Sequence, residues 1–388
     1  MSNPEWKSVG NGHLEGPVPV PDLDPSKLII TRSESLKPIP KPEDLLVFGT
    51  IKTDHMLIVS FDPATGWSAP EIKPYGPLSL DPASSCFQYA SNLFEGLKAY
   101  VGPDGVPRLF RPEKNMARMA RSAERLALPP FNPDALLELI KKLVIVDKRW
   151  IPNATGYSLY LRPTIIGTRS GPYFRNGTKP ISLLASTENV RAWPGGTGSH
   201  KLSGNYSPGF LPQRVAIKQG YDQILWLLKD ENGSYQVTEA GIMNIFVVVS
   251  REDGDLDLIT PPLDGTILAG VTRDSVLALA NAHTDGKLVL PGIPSNRRLH
   301  THERAFTTAD IDHWLTLGRL QEMFSVGTAA ILAPVGRVGI KDLKGDIKDL
   351  ILPSYEDGIG PLSHAMLQMI LAIQEGRENF EGWSVRCE

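Results

Sequence analysis

One lysine in this chain has an unusual setting: Gly195-Gly-Thr-Gly-Ser-His-Lys201-Leu-Ser-Gly-Asn-Tyr206. The small residues before it leave the backbone open to close approach by a flat ligand. A lysine withdrawn from water loses basicity, because desolvation disfavours the ammonium. An amine that is partly neutral near physiological pH condenses with aldehydes and ketones. A solvated lysine beside a glycine turn accounts for the same residues, and this segment alone leaves both readings open. Glu239, in Gln236-Val-Thr-Glu239-Ala-Gly-Ile-Met-Asn244, precedes a strongly apolar run. A carboxylate there could face a cationic ring nitrogen, or simply water at a strand edge. Gly265-Thr-Ile-Leu-Ala-Gly270-Val271-Thr272-Arg puts amides and a hydroxyl at a helix start. That setting suits a phosphate, and it is also an ordinary helix cap. Phe324-Ser-Val-Gly327-Thr328-Ala-Ala330 reads as a strand ending in a tight turn with free amides.

The elements that must carry these residues alternate between the two periods. Strands are predicted at Met56 to Phe61, Lys98 to Val101, Arg108 to Phe110 and Tyr157 to Ile166. Helices are predicted from Pro112 to Leu126 and from Asn132 to Trp150. Further strands fit Ile181 to Ala185, Gln223 to Leu228, Asn244 to Val249 and Glu322 to Val326. Asn232-Gly233 is read as the hairpin turn joining the second and third of these. Helices fit Phe210 to Gln219, Thr272 to His283, Thr308 to Leu317 and Pro361 to Glu375. The expectation is an α+β chain of two domains with a cleft between them. Its divisions are an extended arm over 1–45, a small domain over 46–168, a short linker over 169–180 and a large domain over 181–388.

Composition removes several classes of function. The net charge is −3, without the basic footprint of nucleic-acid binding. Only Cys86 and Cys387 occur, too few for a disulfide framework or a four-cysteine zinc site. His300-x-His302 lacks a third ligand, so no metal is expected. No apolar run approaches the roughly 20 residues a membrane helix needs, and the first residues resemble neither a signal peptide nor a mitochondrial leader. A cytoplasmic protein is expected. No phosphate loop, dinucleotide fingerprint or GxSxG elbow is present.

From about Val47 to about Trp383 the chain resembles the branched-chain amino acid aminotransferases, fold type IV pyridoxal phosphate enzymes of a eukaryotic, fungal-like kind. Leu93-Phe-Glu-Gly-Leu-Lys-Ala-Tyr100, Arg108-Leu-Phe-Arg-Pro-Glu-Lys-Asn-Met-Ala-Arg118-Met and Ser158-Leu-Tyr160-Leu-Arg162-Pro carry the likeness. Lys201-x-x-Gly-Asn-Tyr206, Thr238-Glu239-Ala-Gly-Ile-Met-Asn244 and Gly327-Thr328-Ala329 complete it. The resemblance implies that Lys201 holds the cofactor as a Schiff base and shuttles the proton. It implies that Tyr206 bonds the cofactor's phenolic oxygen and that Glu239 pairs with its ring nitrogen. Arg118, the amides of Val271 and Thr272, and Thr328 are implied phosphate ligands. Phe48, Phe94 and Tyr160 are implied to line the side-chain pocket. Arg162, the turn at Ala329 and Ala330, and Tyr89 from a second subunit are implied to orient substrate. Leucine, isoleucine or valine would give its amino group to 2-oxoglutarate, yielding glutamate and a branched 2-oxo acid, in a homodimer. Other fold type IV activities, or a shortened non-catalytic paralogue, are the alternatives.

Three departures stand out. Ile242 replaces a threonine common in relatives, and Ala330-Ile-Leu-Ala333 replaces a Cys-x-x-Cys. Between Ile166 and Tyr173 about twenty residues, roughly a strand and a loop, are absent relative to the family. That loss is expected to leave apolar surface and backbone groups uncovered.

Overall fold

The computed structural model describes residues 20–41, 44, 47–154, 157–168, 179–341 and 345–387. They form two compact units. The first takes the described part of Met1–Leu80 with Leu93–Glu124 and Leu128–Ile165; the second takes Asp81–Asn92, Arg125–Ala127 and the described part of Ile166–Glu388.

In the first unit the strand Leu97–Val101 pairs antiparallel with Pro107–Leu109 on one side and Leu159–Leu161 on the other. Its inward residues Leu97 and Ala99 pack on Met116 of the helix Pro112–Arg125 and on Leu137, Ile140 and Val144 of the helix Pro133–Val146. The turn at Gly102 to Gly105 closes the predicted hairpin, with Gly105 at φ 73°. The Asn132 side chain caps the second helix through the amides of Asp134 and Ala135. That helix stops before the expected Trp150. Asp147 is drawn out of register by His55, whose amide donates to its carboxylate at 3.0 Å and whose Nδ1 lies 2.6 Å from it. The expected strand Tyr157 to Ile166 is two pieces, Leu159–Leu161 and Thr164–Ile166, because Pro163 between them has no amide to give. The expected arm is partly a strand: Ile29–Ile30 pairs parallel with Glu71 and Ile72. Residues 1–19 lie outside the described part.

The second unit is built on nine strands. Their order is Tyr235–Ala240, Gln223–Lys229, Ile181–Ser186, Ile331–Lys341, Leu320–Gly327, Asn244–Ser250, Leu256–Thr260 and Leu299–Glu303, with Ile347–Ile351 also on the long strand. Alternate residues of Asn244–Ser250 enter opposite cores. Phe246 and Val248 join Val276 and Leu279 of the helix Val271–Thr284 and Met366 and Ile370 of the helix Pro361–Gln374. Ile245, Val247 and Val249 join Leu225, Val335 and Ile311. Burial on both faces explains why this strand reads as one continuous apolar run.

Two expectations change in this unit. The Asn232-Gly233 turn joins Gln223–Lys229 to Tyr235–Ala240, so the segment holding Glu239 is itself a strand. Residues 81–92, expected in the small domain, belong here because Ser203 Oγ donates to Phe87 O at 2.9 Å and the Tyr89 ring meets those of Tyr206 and Phe210. Most of the shortened linker, 169–178, lies outside the described residues. The strand beyond it, Ile181–Ser186, is paired on both sides, whereas Thr164–Ile166 before it pairs with Asn92–Phe94 alone.

Candidate active site

Lys201 lies on the loop that follows the strand Ile181–Ser186, and its Nζ donates to Tyr206 Oη at 3.2 Å. Of the two readings left open, the structure of the chain alone shows the solvated one: Lys201 is exposed among small residues. The loop is shaped by Gly198, where a Cβ would lie 2.3 Å from both the Ala192 Cβ and the Thr266 carbonyl oxygen. The Tyr89 ring lies tilted, 5.7 Å from that of Tyr206 in the same unit, so this contact needs no second copy of the chain.

Glu239, at the end of its strand, is 2% exposed. Its Oε1 accepts from Asn244 Nδ2 at 3.2 Å, and the same amide donates to Leu268 O at 2.9 Å. Its Oε2 lies 2.6 Å from Arg191 Nη1 in ion-pair contact yet accepts no hydrogen bond of good geometry. Burial pushes the Glu239 carboxyl up to about 7, against the opposing pull of Arg191, the Leu268 backbone and Lys201. Asn244 also reaches the helix Val271–Thr284: a Cβ on Gly270, its cap, would come within 2.0 Å of Asn244 Oδ1. The first amides of that helix, Val271 and Thr272, have no earlier turn to bond, and no side chain caps them. Thr328, Ala329 and Ala330 form the turn between the paired strands Leu320–Gly327 and Ile331–Lys341, and Asn244 is in register with Val326 two residues before it. Ile331 leaves this turn at φ 57°, a conformation that β-branched residues seldom hold. The second unit thus gathers Lys201, Tyr206, Glu239, Val271, Thr272 and the Thr328 turn around one network.

A second cluster belongs to the first unit. The Phe48 and Tyr160 rings meet edge to face at 4.9 Å, and the Arg162 guanidinium lies 4.7 Å from the Phe94 ring centroid and 5.1 Å from that of Tyr160. Phe48 and Phe94 are 70% and 68% exposed, which departs from ordinary core packing. Gly96 makes room for the cluster, since a Cβ there would lie 2.1 Å from Tyr160 Oη. Gly96→Ala is expected to displace that ring and cost about 1–3 kcal/mol, measurable by urea unfolding; an unchanged midpoint would count against a fixed Tyr160. Arg118, in the same unit, pairs through two nitrogens with buried Glu95. That pairing, with amides from Gly96 and Asn115, holds the Glu95 carboxyl down to about 2 despite its burial.

Sequence reasoning missed Arg191, Asn244 and Glu95. Arg191 is the sole arginine or lysine between Ser186 and Lys201, and Asn244 ends the Glu239 motif, but their contacts span separate segments. His300 and His302 each pair with an aspartate of the neighbouring strand, Asp255 and Asp257. No group of three potential metal ligands occurs among the described residues, and no helix there is long and apolar enough to cross a membrane.

Residues 92–338 match the amino-transferase class IV family. This chain is a class IV aminotransferase. Its fold is accordingly the α+β arrangement of fold type IV. The mitochondrial branched-chain-amino-acid aminotransferase of Schizosaccharomyces pombe is 42% identical over 97% of this chain and 88% of its own length. The mitochondrial enzyme of Saccharomyces cerevisiae is 43% identical over 93% of each chain, and the cytosolic one of Ovis aries is 41% identical over 97% of each. The alignment with the S. pombe protein runs over 396 positions, more than the 388 residues of this class IV chain.

Proposed function

We propose that this class IV aminotransferase moves the amino group of leucine, isoleucine or valine to 2-oxoglutarate with pyridoxal phosphate as cofactor. One observation carries the reading: a buried carboxylate, Glu239, keeps one oxygen without a hydrogen bond in the same unit as an exposed lysine–tyrosine pair. That oxygen, in ion-pair contact with Arg191 Nη1 at 2.6 Å, has acceptor capacity left for the N–H of a protonated ring. The uncapped amides of Val271 and Thr272, with Thr328, suit a phosphate. Arg118 is assigned to the phosphate as well, its exposed guanidinium aimed by Glu95. When bound, the cofactor supplies an aldehyde for amines and a ring that withdraws electrons.

The chain's own residues do the rest. Lys201 Nζ holds the cofactor and moves the proton at the substrate's Cα, as a positioned acid and base. Tyr206 Oη, 3.2 Å from that amine, orients it. Glu239 supplies the negative charge opposite a ring nitrogen. Phe48, Phe94 and Tyr160 offer apolar surface for a branched side chain, while Arg162, with Ala329 and Ala330, orients carboxylates. Tyr89, beside Tyr206, is assigned to the same task. The relatives' names support the substrate class. They cover both mitochondrial and cytosolic proteins. Two cysteines suit a reducing compartment such as the cytoplasm. The reading carries a homodimer, to be tested by sedimentation.

The deciding experiment records absorbance of the cofactor-saturated protein before and after leucine, then glutamate formed from leucine and 2-oxoglutarate. A colourless protein at saturation rejects the proposal. Arg162→Gln is expected to raise the KM for 2-oxoglutarate about 10- to 100-fold, the worth of a hydrogen bond to a charged group, with kcat little changed; an unaltered KM removes Arg162 from substrate binding. A second reading, another activity on the same fold, is favoured by Ile242, which lines a narrow cavity with Tyr206, Gln213, Gln223 and Trp226. A substrate panel separates the two, since branched-chain donors among the best count against the second.

A further inference from the structure

Arg191 is 8% exposed, on a loop with no other arginine or lysine before Lys201. An arginine so buried is retained only where its donors are used. Nη1 donates to Gly198 O and to Thr266 O, each at 3.2 Å, and touches Glu239 Oε2 at 2.6 Å. These three partners belong to three separate segments. Gly198 is three residues before Lys201 and has no space for a side chain. Thr266 is fixed by Asp264, which accepts from its amide at 2.9 Å and its hydroxyl at 2.7 Å, and it leads to Gly270 and the first amides of the helix Val271–Thr284. Glu239 is the acid of the network. One guanidinium therefore links the lysine loop, the segment leading to the uncapped helix and the buried carboxylate. All three contacts are made by Nη1, whose two N–H bonds serve the carbonyls while its charge faces the carboxylate; the arginine keeps that charge at any working pH, whereas a buried lysine loses its own readily.

We propose that Arg191 is the positioning residue of this site: it ties the Lys201 loop and the Thr266 segment together while favouring the ionised form of Glu239 and aiming it for a cationic ring. The inference rests on the proposed cofactor and concerns a residue that touches none of the reacting atoms. The titratable groups facing Glu239 among the described residues are Arg191 and Lys201. With Lys201 on an exposed loop, Arg191 is the only buried countercharge. A ring that arrives protonated binds well only to ionised Glu239, so affinity falls on the acid side as Glu239 takes up a proton. Without Arg191 that fall moves to higher pH, because the charge favouring ionisation is gone.

The test is the dissociation constant of pyridoxal phosphate from the full-length apo protein, followed by absorbance and tryptophan fluorescence across pH 5.5 to 8.5. The proteins are wild type, R191M, R191Q, R191K, E239Q and the double variant R191M/E239Q. R191M is expected to weaken binding at least tenfold at neutral pH and to move the acid limb up by a pH unit or more. R191K retains the limb and loses affinity a few-fold. In the E239Q background, adding R191M removes no more than a further threefold. Should R191M not fold, R191Q against R191K decides: a limb displaced in the glutamine and not in the lysine variant supports the role, and equal limbs overturn it. Wild-type-like affinity and limb in R191M also overturn it. Failure of the wild type to bind pyridoxal phosphate at all refutes the cofactor reading instead, so the two failures are distinguishable.

Discussion

Lys201→Ala is expected to lower transamination by about three orders of magnitude or more, the loss anticipated when the nucleophile and the acid–base group are one side chain. The fold should not respond. Lys201 is exposed and its recorded partner is Tyr206 Oη, and surface changes of this kind usually stay within about 0.5 kcal/mol. Thermal unfolding of the apo variant beside the wild type checks that part. Adding a small amine such as methylamine should restore a fraction of the proton transfer in the variant, because an untethered base can enter the space left by the side chain. Borohydride reduction with peptide mapping should label Lys201 in the wild type. Activity within tenfold of wild type, or a label on another lysine, would sink the assignment.

The second large effect is expected at Glu239. Its carboxyl is pushed up to about 7 by burial, from an ordinary value of 4.5. The folded apo protein therefore holds a proton that the unfolded chain has released across that window. Proton linkage then makes stability fall as pH rises from 4.5 to about 7. The difference amounts to about 3 kcal/mol. Below 4.5 both states are protonated, and above 7 both are ionised, so the slope is confined to that range. Glu239→Gln should flatten it, as read by urea unfolding of apo protein at several pH values. In the loaded enzyme the same change should cut turnover about 100- to 1,000-fold, the range found when a preorganised electrostatic partner is removed. A slope equal to that of the wild type would show that Glu239 does not titrate as described.

Cofactor loading should alter this balance in a recognisable way. A cationic ring nitrogen against Oε2 favours the ionised carboxylate, so loading should stabilise the protein more at pH 7 and above than at pH 5. Arg191 already offsets part of the burial cost, so the two cations act on one carboxylate and their effects should not simply add.

Local sequence was informative wherever the cause is local. The Asn132 cap, the Gly102 to Gly105 turn and four of the helices of the second unit lie close to their predicted positions, because caps, turns and 3.6-residue periodicity act within a few residues; the short helix Ser85–Tyr89 is not among those predicted. The Lys201, Tyr206 and Glu239 motifs were equally readable as residue types in an order. The misplaced boundaries have longer-range causes. Asp147 leaves its helix for His55, ninety-two residues away in the chain. The turn at Asn232-Gly233 serves a strand whose register is set by pairing with Gln223–Lys229.

By itself, the order of residues determined the family and the α+β class, and it singled out the lysine, the tyrosine and the acid proposed to serve a reactive ring. Tertiary structure alone decided the environment of each. It left Lys201 open to water and sealed Glu239 against the Arg191 guanidinium. It also brought Arg191 between the Gly198 and Thr266 carbonyls. The reason is physical: residue types specify which bonds are possible, whereas burial and electrostatic partnership depend on which distant segments the sheet brings side by side.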